Sequence, residues 1–346
     1  EGPTILVRTD LDALPIKELT SLEYVSSKTT MNENGDAVPV MHACGHDMHM
    51  TVFSGAAKVM SELKNQWSGT LVFIGQPAEE IGFGAKTMIS EGLFEKFPKP
   101  DAALAYHIIP SLEAGKIGYV YGPTFANVDM LDLFIYGIGG HGAAPHKTVD
   151  PIVLASRIVL DIQTIVSREI NPLEPAVVTV GSIHGGTKHN IIPEEVKLEI
   201  TARSYTDEVR NQIIEAIKRI SKGAAISAGL TEDKFPKLVV RDSYAPAVVN
   251  NPQLVDKCLQ GLSNVIEKDK IVELKPEMIA EDFAYYGKTA DNIPIAMLRL
   301  GTARKESIIK GETQPSLHSP YLAPDPEPTI KTGVTGLVAM ILENLK

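Results

Sequence analysis

Three apolar segments, each followed by polar residues, constrain the fold of this chain most strongly. They lie at residues 4–10, 70–75 and 102–106, and a helical pattern separates the first two. Nearly continuous apolar runs are typical of strands that are buried on both faces of a sheet. Strands that alternate with helices indicate an α/β fold, whose sites lie beyond the carboxyl ends of the strands. We therefore expect polar residues from these segments to meet at one edge of a sheet.

The middle of the chain has a different pattern, which predicts an inserted domain. From about residue 128 the segments follow the order β-α-β-β-α-β, which is typical of a ferredoxin-like α+β unit. The α/β pattern returns near residue 251. We therefore expect a discontinuous domain of residues 1–126 and 246–346, and an inserted domain of residues 127–245. The predicted elements of the insertion are strands at 130–136, 176–182, 195–202 and 237–243 and helices at 151–166 and 207–220.

Composition excludes several classes of partner. The net charge of -10 argues against a nucleic-acid surface, which would need a basic patch. No apolar run has the length of a membrane span, and the opening residues do not have the pattern of a signal peptide. The 2 cysteines imply no disulfide framework, so we expect a reducing, cytoplasmic compartment. Of these, Cys258 is expected to be a buried core thiol.

Five residues from four separate segments predict a metal site. The first two, Cys44 and His46, lie just before a predicted helix, whose dipole would favour a thiolate. Between them, Gly45 permits a sharp backbone turn. Mixed thiolate, imidazole and carboxylate ligands suit Zn²⁺ and neighbouring divalent ions. Five ligands exceed one tetrahedral shell, so two ions that share a ligand are expected. The complete set is Cys44, His46, Glu80, His107 and His318.

Each member of this set also has a simpler interpretation. The cysteine could be buried beside a capped helix, and Glu79 with Glu80 could be a solvated pair at a helix start. His107 could be a hydrogen-bonded core residue, and His318 an ordinary loop histidine. The combination favours the metal site. Glu79 is then left over beside a ligating Glu80, as a general base for a metal-activated water, which indicates a hydrolase.

Residues 137–142 match the pattern G-x-G-x-x-G after a predicted strand. A dinucleotide site would need a helix at once and an acidic residue at the end of the next strand. Here residues 143–146 intervene, and the acidic residue about twenty positions on, Asp161, lies within a predicted helix. We therefore expect no dinucleotide site.

Seven motifs in this order resemble those of the M20 metallopeptidase and amidohydrolase family. The resemblance is closest to its N-acyl-amino-acid amidohydrolases, such as hippurate hydrolase and the auxin-conjugate hydrolases. It extends through nearly the whole chain. The motifs lie at residues 10–15, 42–47, 76–80, 139–146, 190–193, 281–283 and 318–319.

The resemblance implies a zinc-peptidase-like α/β/α catalytic domain with two metals, and an inserted ferredoxin-like lid or dimerisation domain that forms a homodimer. The five predicted ligands fall on the family's ligand positions, with Cys44 as the bridge, and Glu79 falls on its general base. His141 falls on a residue that polarises the scissile carbonyl, often across the dimer. The resemblance further implies that Asn190 and Arg203 hold the substrate's carboxylate and that Asp12 orients a ligand.

The implied reaction is hydrolysis of the amide bond of an N-acyl amino acid. The alternatives are a dipeptidase or carboxypeptidase acting on a short peptide, and a catalytically silent metal-binding homologue. We expect Mn²⁺ or Zn²⁺, with Co²⁺ and Ni²⁺ as further candidates.

Family members carry a helical segment before the first strand. This chain starts almost on that strand, so we expect either a fragment or a chain without the family's N-terminal part.

Overall fold

The computed structural model describes residues 2–32 and 34–346, which form two compact units. The first unit extends to Thr124 and includes Val248–Glu277 and Glu281–Lys346. The second unit comprises Phe125–Ala247 and Met278–Ala280. Within the described part of the chain, no helix is both long and apolar enough to cross a membrane. The free cysteines Cys44 and Cys258 are both buried.

The strands and helices follow one another along the chain with these bounds. The strands are β1 Thr4–Asp10, β2 Thr29–Met31, β3 Ala37–Pro39, β4 Thr70–Gln76, β5 Ala102–Glu113, β6 Ile117–Tyr119, β7 Gly122–Phe125, β8 Asn127–Tyr136, β9 Gly140–His141, β10 Ala176–Gly185, β11 Ile191–Ile192, β12 Glu195–Ser204, β13 Lys237–Val240, β14 Val248–Asn250, β15 Ile271–Glu273 and β16 Ile295–Ala303. The helices are α1 His46–Glu62, α2 Gly84–Ser90, α3 Leu93–Lys96, α4 Pro151–Thr164, α5 Asp207–Ser227, α6 Pro252–Ser263, α7 Ala284–Gly287, α8 Lys305–Ile309 and α9 Pro326–Asn344.

The first unit is built on a six-stranded sheet with the order β15-β6-β16-β5-β1-β4. Strand β1 lies between β4 and β5 and is parallel to both. This central position explains its apolar sequence, because both of its faces are covered. Apolar residues of α1, α6 and α9 form one core cluster with side chains of the sheet. The predicted α/β class is therefore confirmed.

The two faces of β1 differ in chemistry. Ile5 and Val7 belong to the apolar core cluster. Because side chains alternate along a strand, Arg8 and Asp10 point to the opposite face. Both are buried, with 3% and 0% of their surface exposed. A buried charge needs partners, so this face of the sheet must supply them.

The second unit has the predicted β-α-β-β-α-β order. Its four-stranded sheet has the order β10-β12-β8-β13, and every neighbouring pair is antiparallel. Alternate residues of β8 and β12 pack with buried residues of α4 and α5 in a separate core cluster. This alternation of buried and exposed residues is what an antiparallel sheet with one covered face requires.

The predicted end of the third apolar strand is wrong. The sequence predicts a strand at 102–106 with His107 beyond its end, whereas β5 continues to Glu113. The reason is tertiary pairing, because β16 runs parallel to β5 and pairs Arg299 with His107 and Leu300 with Ile108. His107 therefore lies in the middle of a buried strand, where it pairs with Arg299 of β16.

Candidate metal centre

Asp12, just beyond the end of β1, connects two of the predicted ligands. Its carbonyl oxygen accepts a hydrogen bond from Nδ1 of His46 at 2.9 Å. Its carboxylate accepts the backbone N–H of Glu80 at 3.0 Å. In the neutral imidazole, the first bond places the proton on Nδ1 and the lone pair on Nε2. Asp12 thus orients His46 and fixes the backbone at Glu80.

The Nε2 atom of His46 faces carboxylates without bonding to them. It lies 3.7 Å from Asp10 Oδ2, 3.8 Å from Glu79 Oε2 and 3.9 Å from Glu80 Oε1. Among the described residues, neither this nitrogen nor Oε1 of Glu80 has a hydrogen-bond partner, although both atoms are buried. Two atoms that each lie about 2.0–2.3 Å from one ion are at most about 4.6 Å apart. The spacing therefore fits atoms arranged around a cation.

The remaining predicted ligands lie on the other side of Glu80. Sγ of Cys44 is 3.6 Å from Nε2 of His107. Nδ1 of His107 donates to the carbonyl of Ile108 at 2.7 Å, so its lone pair is on the nitrogen that faces the sulfur. Nε2 of His318 lies 3.3 Å from Oε2 of Glu80.

The structure brings all five predicted ligands together. Atoms of Cys44, Glu80 and His318 lie within 4.8 Å of one another, and so do atoms of His46, Glu79 and Glu80. Glu80 belongs to both groups and lies between them. The donor set of thiol, imidazole and carboxylate fits divalent ions such as Zn²⁺. Gly45 has a φ of 76°, which lets Cys44 and His46 lie on either side of it in this site.

The electrostatics of the site favour a bound cation. Burial, and then the carboxylates of Glu80 and Glu79, raise the pKa of Cys44, so a cation is needed to ionise the thiol. Burial opposes protonation of His46, but Asp12 and Asp10 outweigh it and raise its pKa to about 9. Burial, and then His49, lower the pKa of His107 well below its usual range, which keeps it neutral.

His49 lies in the same cluster but has both ring nitrogens engaged. Its Nδ1 is 2.7 Å from Oδ1 of Asp10, and its Nε2 accepts the N–H of Ile108 at 2.9 Å. The second bond fixes the tautomer, so Nδ1 carries the proton and donates it to Asp10. His49 therefore bonds Asp10 and the backbone of Ile108, and neither of its nitrogens has a lone pair left for a metal.

Sequence reasoning missed the buried ion cluster around Arg8. The guanidinium donates to Asp10 at 2.8 Å, to Glu281 at 2.8 Å and to Asp282 at 3.1 Å. It also donates to Oε1 of Gln76 at 3.0 Å. The available signal was a charged residue at position 8 in an otherwise apolar strand, which is costly unless it is paired.

The three other predicted site residues lie in the second unit. Nδ1 of His141 accepts the N–H of Ala143 at 3.0 Å, so its Nε2 carries the proton. The carbonyl of Asn190 accepts the N–H of Gly142 at 2.9 Å, and the next residue pairs with His141 through β11 and β9. Arg203 lies near the end of β12 and donates to the carbonyl of Met278. His141 and Asn190 are therefore neighbours, whereas Arg203 lies apart from them on the four-stranded sheet.

The glycine-rich segment at 137–142 does not open a helix. It contains the short strand β9, and α4 begins only at Pro151. A dinucleotide site needs a helix N-terminus directly after the glycines. This segment therefore does not have the arrangement that a dinucleotide site needs.

Comparison with known proteins identifies the family. Residues 6–343 match the model of Peptidase family M20/M25/M40. The chain belongs to this family. A solved Bacillus subtilis protein, named a dinuclear metal binding peptidase of the M20 family, is 27% identical with a TM-score of 0.78. That comparison covers 99% of this chain and 83% of the solved one.

Two relatives extend the comparison to named activities. N-acetyl-L-cysteine deacetylase of Bacillus subtilis (strain 168) is 35% identical over 87% of this chain and 67% of its own length. Thermostable carboxypeptidase 1 of Saccharolobus solfataricus is 36% identical over 96% of this chain and 78% of its own length. This M20 family chain is a metal-dependent hydrolase of amide bonds.

Proposed function

We propose that this M20 family protein hydrolyses the amide bond of N-acyl amino acids. The observation that carries the proposal is the cluster of Cys44, His46, Glu80, His107 and His318 with Glu79 beside it. The similarity to N-acetyl-L-cysteine deacetylase supports a small acyl group such as acetyl. A larger acyl group, as in hippurate or an auxin conjugate, stays a prediction for the same test.

The five clustered residues would hold two divalent ions. The thiolate of Cys44 would contribute to this set from a position against His107, and Cys44 also belongs to the group of Glu80 and His318. Mn²⁺ and Zn²⁺ are the leading candidates, ahead of Co²⁺ and Ni²⁺. When bound, such ions polarise the carbonyl of the substrate and lower the pKa of a water molecule.

Glu79 is the general base in this proposal. It is 8% exposed, and one carboxylate oxygen lies 3.8 Å from Nε2 of His46. It removes a proton from the attacking water and passes it to the nitrogen of the leaving amino acid. Glu80 is the proposed ligand instead, because its two oxygens face His46 on one side and His318 on the other.

The second unit would act as a lid and as a dimerisation domain. His141 offers an N–H at Nε2, which can donate to the carbonyl oxygen of the substrate as negative charge develops there. Asn190 and Arg203 stay predictions as partners of the substrate's carboxylate, because the two residues lie apart within the second unit. Exposed apolar side chains of α4, namely Ile152, Val153 and Leu160, support a homodimer formed through this unit.

A substrate panel tests the reaction class. The protein is stripped of metal with a chelator and then reloaded with Mn²⁺, Zn²⁺, Co²⁺ or Ni²⁺ separately. N-acetyl and N-benzoyl amino acids are compared with dipeptides whose amino termini are free. We expect metal to restore cleavage of the N-acetyl amino acids. Restored cleavage of the dipeptides alone would instead establish the carboxypeptidase or dipeptidase alternative, which the similarity to thermostable carboxypeptidase 1 favours.

Replacing His141 by alanine is expected to reduce kcat by about 10²- to 10³-fold, the usual effect of removing one donor to a developing oxyanion. The bound metal should be unchanged, because the predicted ligands lie in the first unit. Steady-state kinetics and metal analysis measure both quantities. The matched control is His146→Ala, an exposed histidine of the same loop. An unchanged kcat in the His141 variant would remove this residue from the mechanism.

A further inference from the structure

The turn that carries Glu79 and Glu80 is folded tightly on itself. It connects β4 to α2, and the N–H of Gly82 donates to the carbonyl of Glu79 at 2.7 Å. The N–H of Gly84 donates to the carbonyl of Ala78 at 3.1 Å. Ala78 has a φ of 58°, a region that residues with a side chain rarely adopt. This conformation costs free energy and persists only when surrounding contacts enforce it.

A single buried carboxylate holds both ends of this turn. Oδ1 of Asp282 accepts the side-chain amide of Gln76, the last residue of β4, at 2.6 Å. Oδ2 of Asp282 accepts the backbone N–H of Ala85, in the first turn of α2, at 2.9 Å. Asp282 is only 1% exposed. One side chain thus bonds the residues that come directly before and after the strained segment.

Neighbouring groups fix the orientation of this contact. Arg8 donates from Nη2 to Oδ1 of Asp282 at 3.1 Å and from Nε to Oε1 of Gln76 at 3.0 Å. The hydroxyl of Tyr286 donates to the same oxygen of Gln76 at 3.1 Å. Because Oε1 accepts two hydrogen bonds, the amide nitrogen of Gln76 must face Asp282.

We propose that Asp282 is a positioning residue that sets the location of Glu79 and Glu80 by clamping both ends of their turn. The inference rests on the proposed function, in which Glu79 is the base and Glu80 a ligand. Asp282 itself is neither, because its oxygens accept hydrogen bonds from Gln76, Arg8 and Ala85. A displacement of about 1 Å at reacting groups can cost about 10²-fold in rate, so a clamp on this turn has a direct effect on turnover.

The substitution Asp282→Asn tests the clamp with almost no change in volume. The new amide has one acceptor and one donor group, whereas the site presents donors on both sides, from Gln76 and from Ala85. Neither orientation of the amide can satisfy both contacts. We expect kcat to fall by about 10- to 100-fold, the usual cost of removing a group that orients a functional residue, with little change in KM. The Ala85 amide should also exchange its hydrogen faster.

The double variant Gln76→Glu/Asp282→Asn distinguishes the clamp from a general loss of structure. The amide nitrogen at position 282 can then donate to the new carboxylate at position 76, and its oxygen can accept from Ala85. The new carboxylate also keeps the bond from Nε of Arg8, whereas the bond from Nη2 of Arg8 to position 282 is lost, so the recovery is expected to be partial. We expect the double variant to recover about 10-fold in kcat over Asp282→Asn, while Gln76→Glu alone is impaired, a non-additive pattern that marks direct contact.

A matched control is Asp101→Asn. The carboxylate of Asp101 also accepts a backbone N–H, that of Thr4 at 2.8 Å, but it is exposed and lies at the other end of β1. It should leave kcat and the exchange of Ala85 unchanged. The proposal is overturned if Asp282→Asn behaves like this control, or if the double variant is no better than Asp282→Asn.

Hydrogen exchange separates this inference from the proposed function. If the wild-type protein cleaves no N-acyl amino acid with any metal, the proposed function fails. The exchange rate of the Ala85 amide still decides about the clamp, because it depends on Asp282 and not on turnover. Faster exchange in Asp282→Asn, with slow exchange regained in the double variant, would support the clamp even then. Equal exchange in all variants would overturn it.

Discussion

Replacing Glu79 with glutamine is expected to reduce the turnover of N-acyl amino acids by about 10²- to 10⁴-fold, the range that a positioned general base contributes. Glutamine has nearly the same shape but cannot accept a proton from water. The amount of bound metal should stay the same, because Glu80 and the four other clustered residues are unchanged. Kinetic assays and metal analysis of the same preparation measure the two quantities together.

The surroundings of Glu79 make it suited to accept a proton. Burial, and then the nearby carboxylate of Glu281, raise the pKa of Glu79 well above its usual range. A carboxylate in such surroundings is a stronger base than one in water. The matched control is Glu62→Gln at the exposed end of α1, which should have wild-type turnover. Turnover at the wild-type level in the Glu79 variant, with metal bound, would exclude Glu79 as the base.

The parts of the site that the sequence predicts are those encoded locally. The turn after β4 follows an apolar strand, so Glu79 and Glu80 could be placed at a strand end from periodicity alone. His46 is the first residue of α1, and Cys44 lies two positions before it. Gly45 between them has the positive φ expected of a sharp turn. In both places the local pattern and the observed backbone agree.

Other features depend on contacts between distant segments. His107 was expected just beyond a strand, yet pairing with β16 extends β5 through it to Glu113. Local sequence does not encode which strand lies beside another, so such an extension cannot be read from residues 102–113 alone. His107 lies against Cys44, but it does so from within β5 and not from a position beyond the end of the strand.

The buried ion cluster around Arg8 also depends on contacts that local sequence does not encode. Arg8 and Glu281 are 273 residues apart in the chain, and their hydrogen bond is 2.8 Å long. Residues 281–283 were recognisable only as a motif, and nothing in their local pattern indicated that Asp282 bonds Gln76 and Ala85. Their partners Arg8, Gln76 and Ala85 lie about 200 or more residues away in the chain, and local sequence does not specify such contacts.

The substitution Arg8→Met is expected to lower the free energy of unfolding by about 3–5 kcal/mol, the range for removing one partner of a buried ion pair. It would leave Asp10, Glu281 and Asp282 buried without their shared cation. Burial alone would lower the pKa of Arg8, but these carboxylates, led by Glu281, outweigh it and raise the pKa well above its usual range. The arginine is therefore charged at every pH at which the protein folds.

Urea titration, monitored by tryptophan fluorescence, measures this loss of stability in the first structural unit, which contains Arg8. The chain has 1 tryptophan, Trp67, which lies in the first unit and donates to the carbonyl of Met60. A chelator should be present in every sample, because metal bound only to the folded state would add its own stabilisation.

The exposed Arg304→Met serves as control and should unfold like wild type. The free energy of unfolding of Arg8→Lys should lie between those of Arg8→Met and the control. An ammonium keeps the charge but cannot bond acceptors in several directions as the planar guanidinium does. If Arg8→Met unfolds at the wild-type midpoint, the cluster contributes nothing to the stability of the first unit.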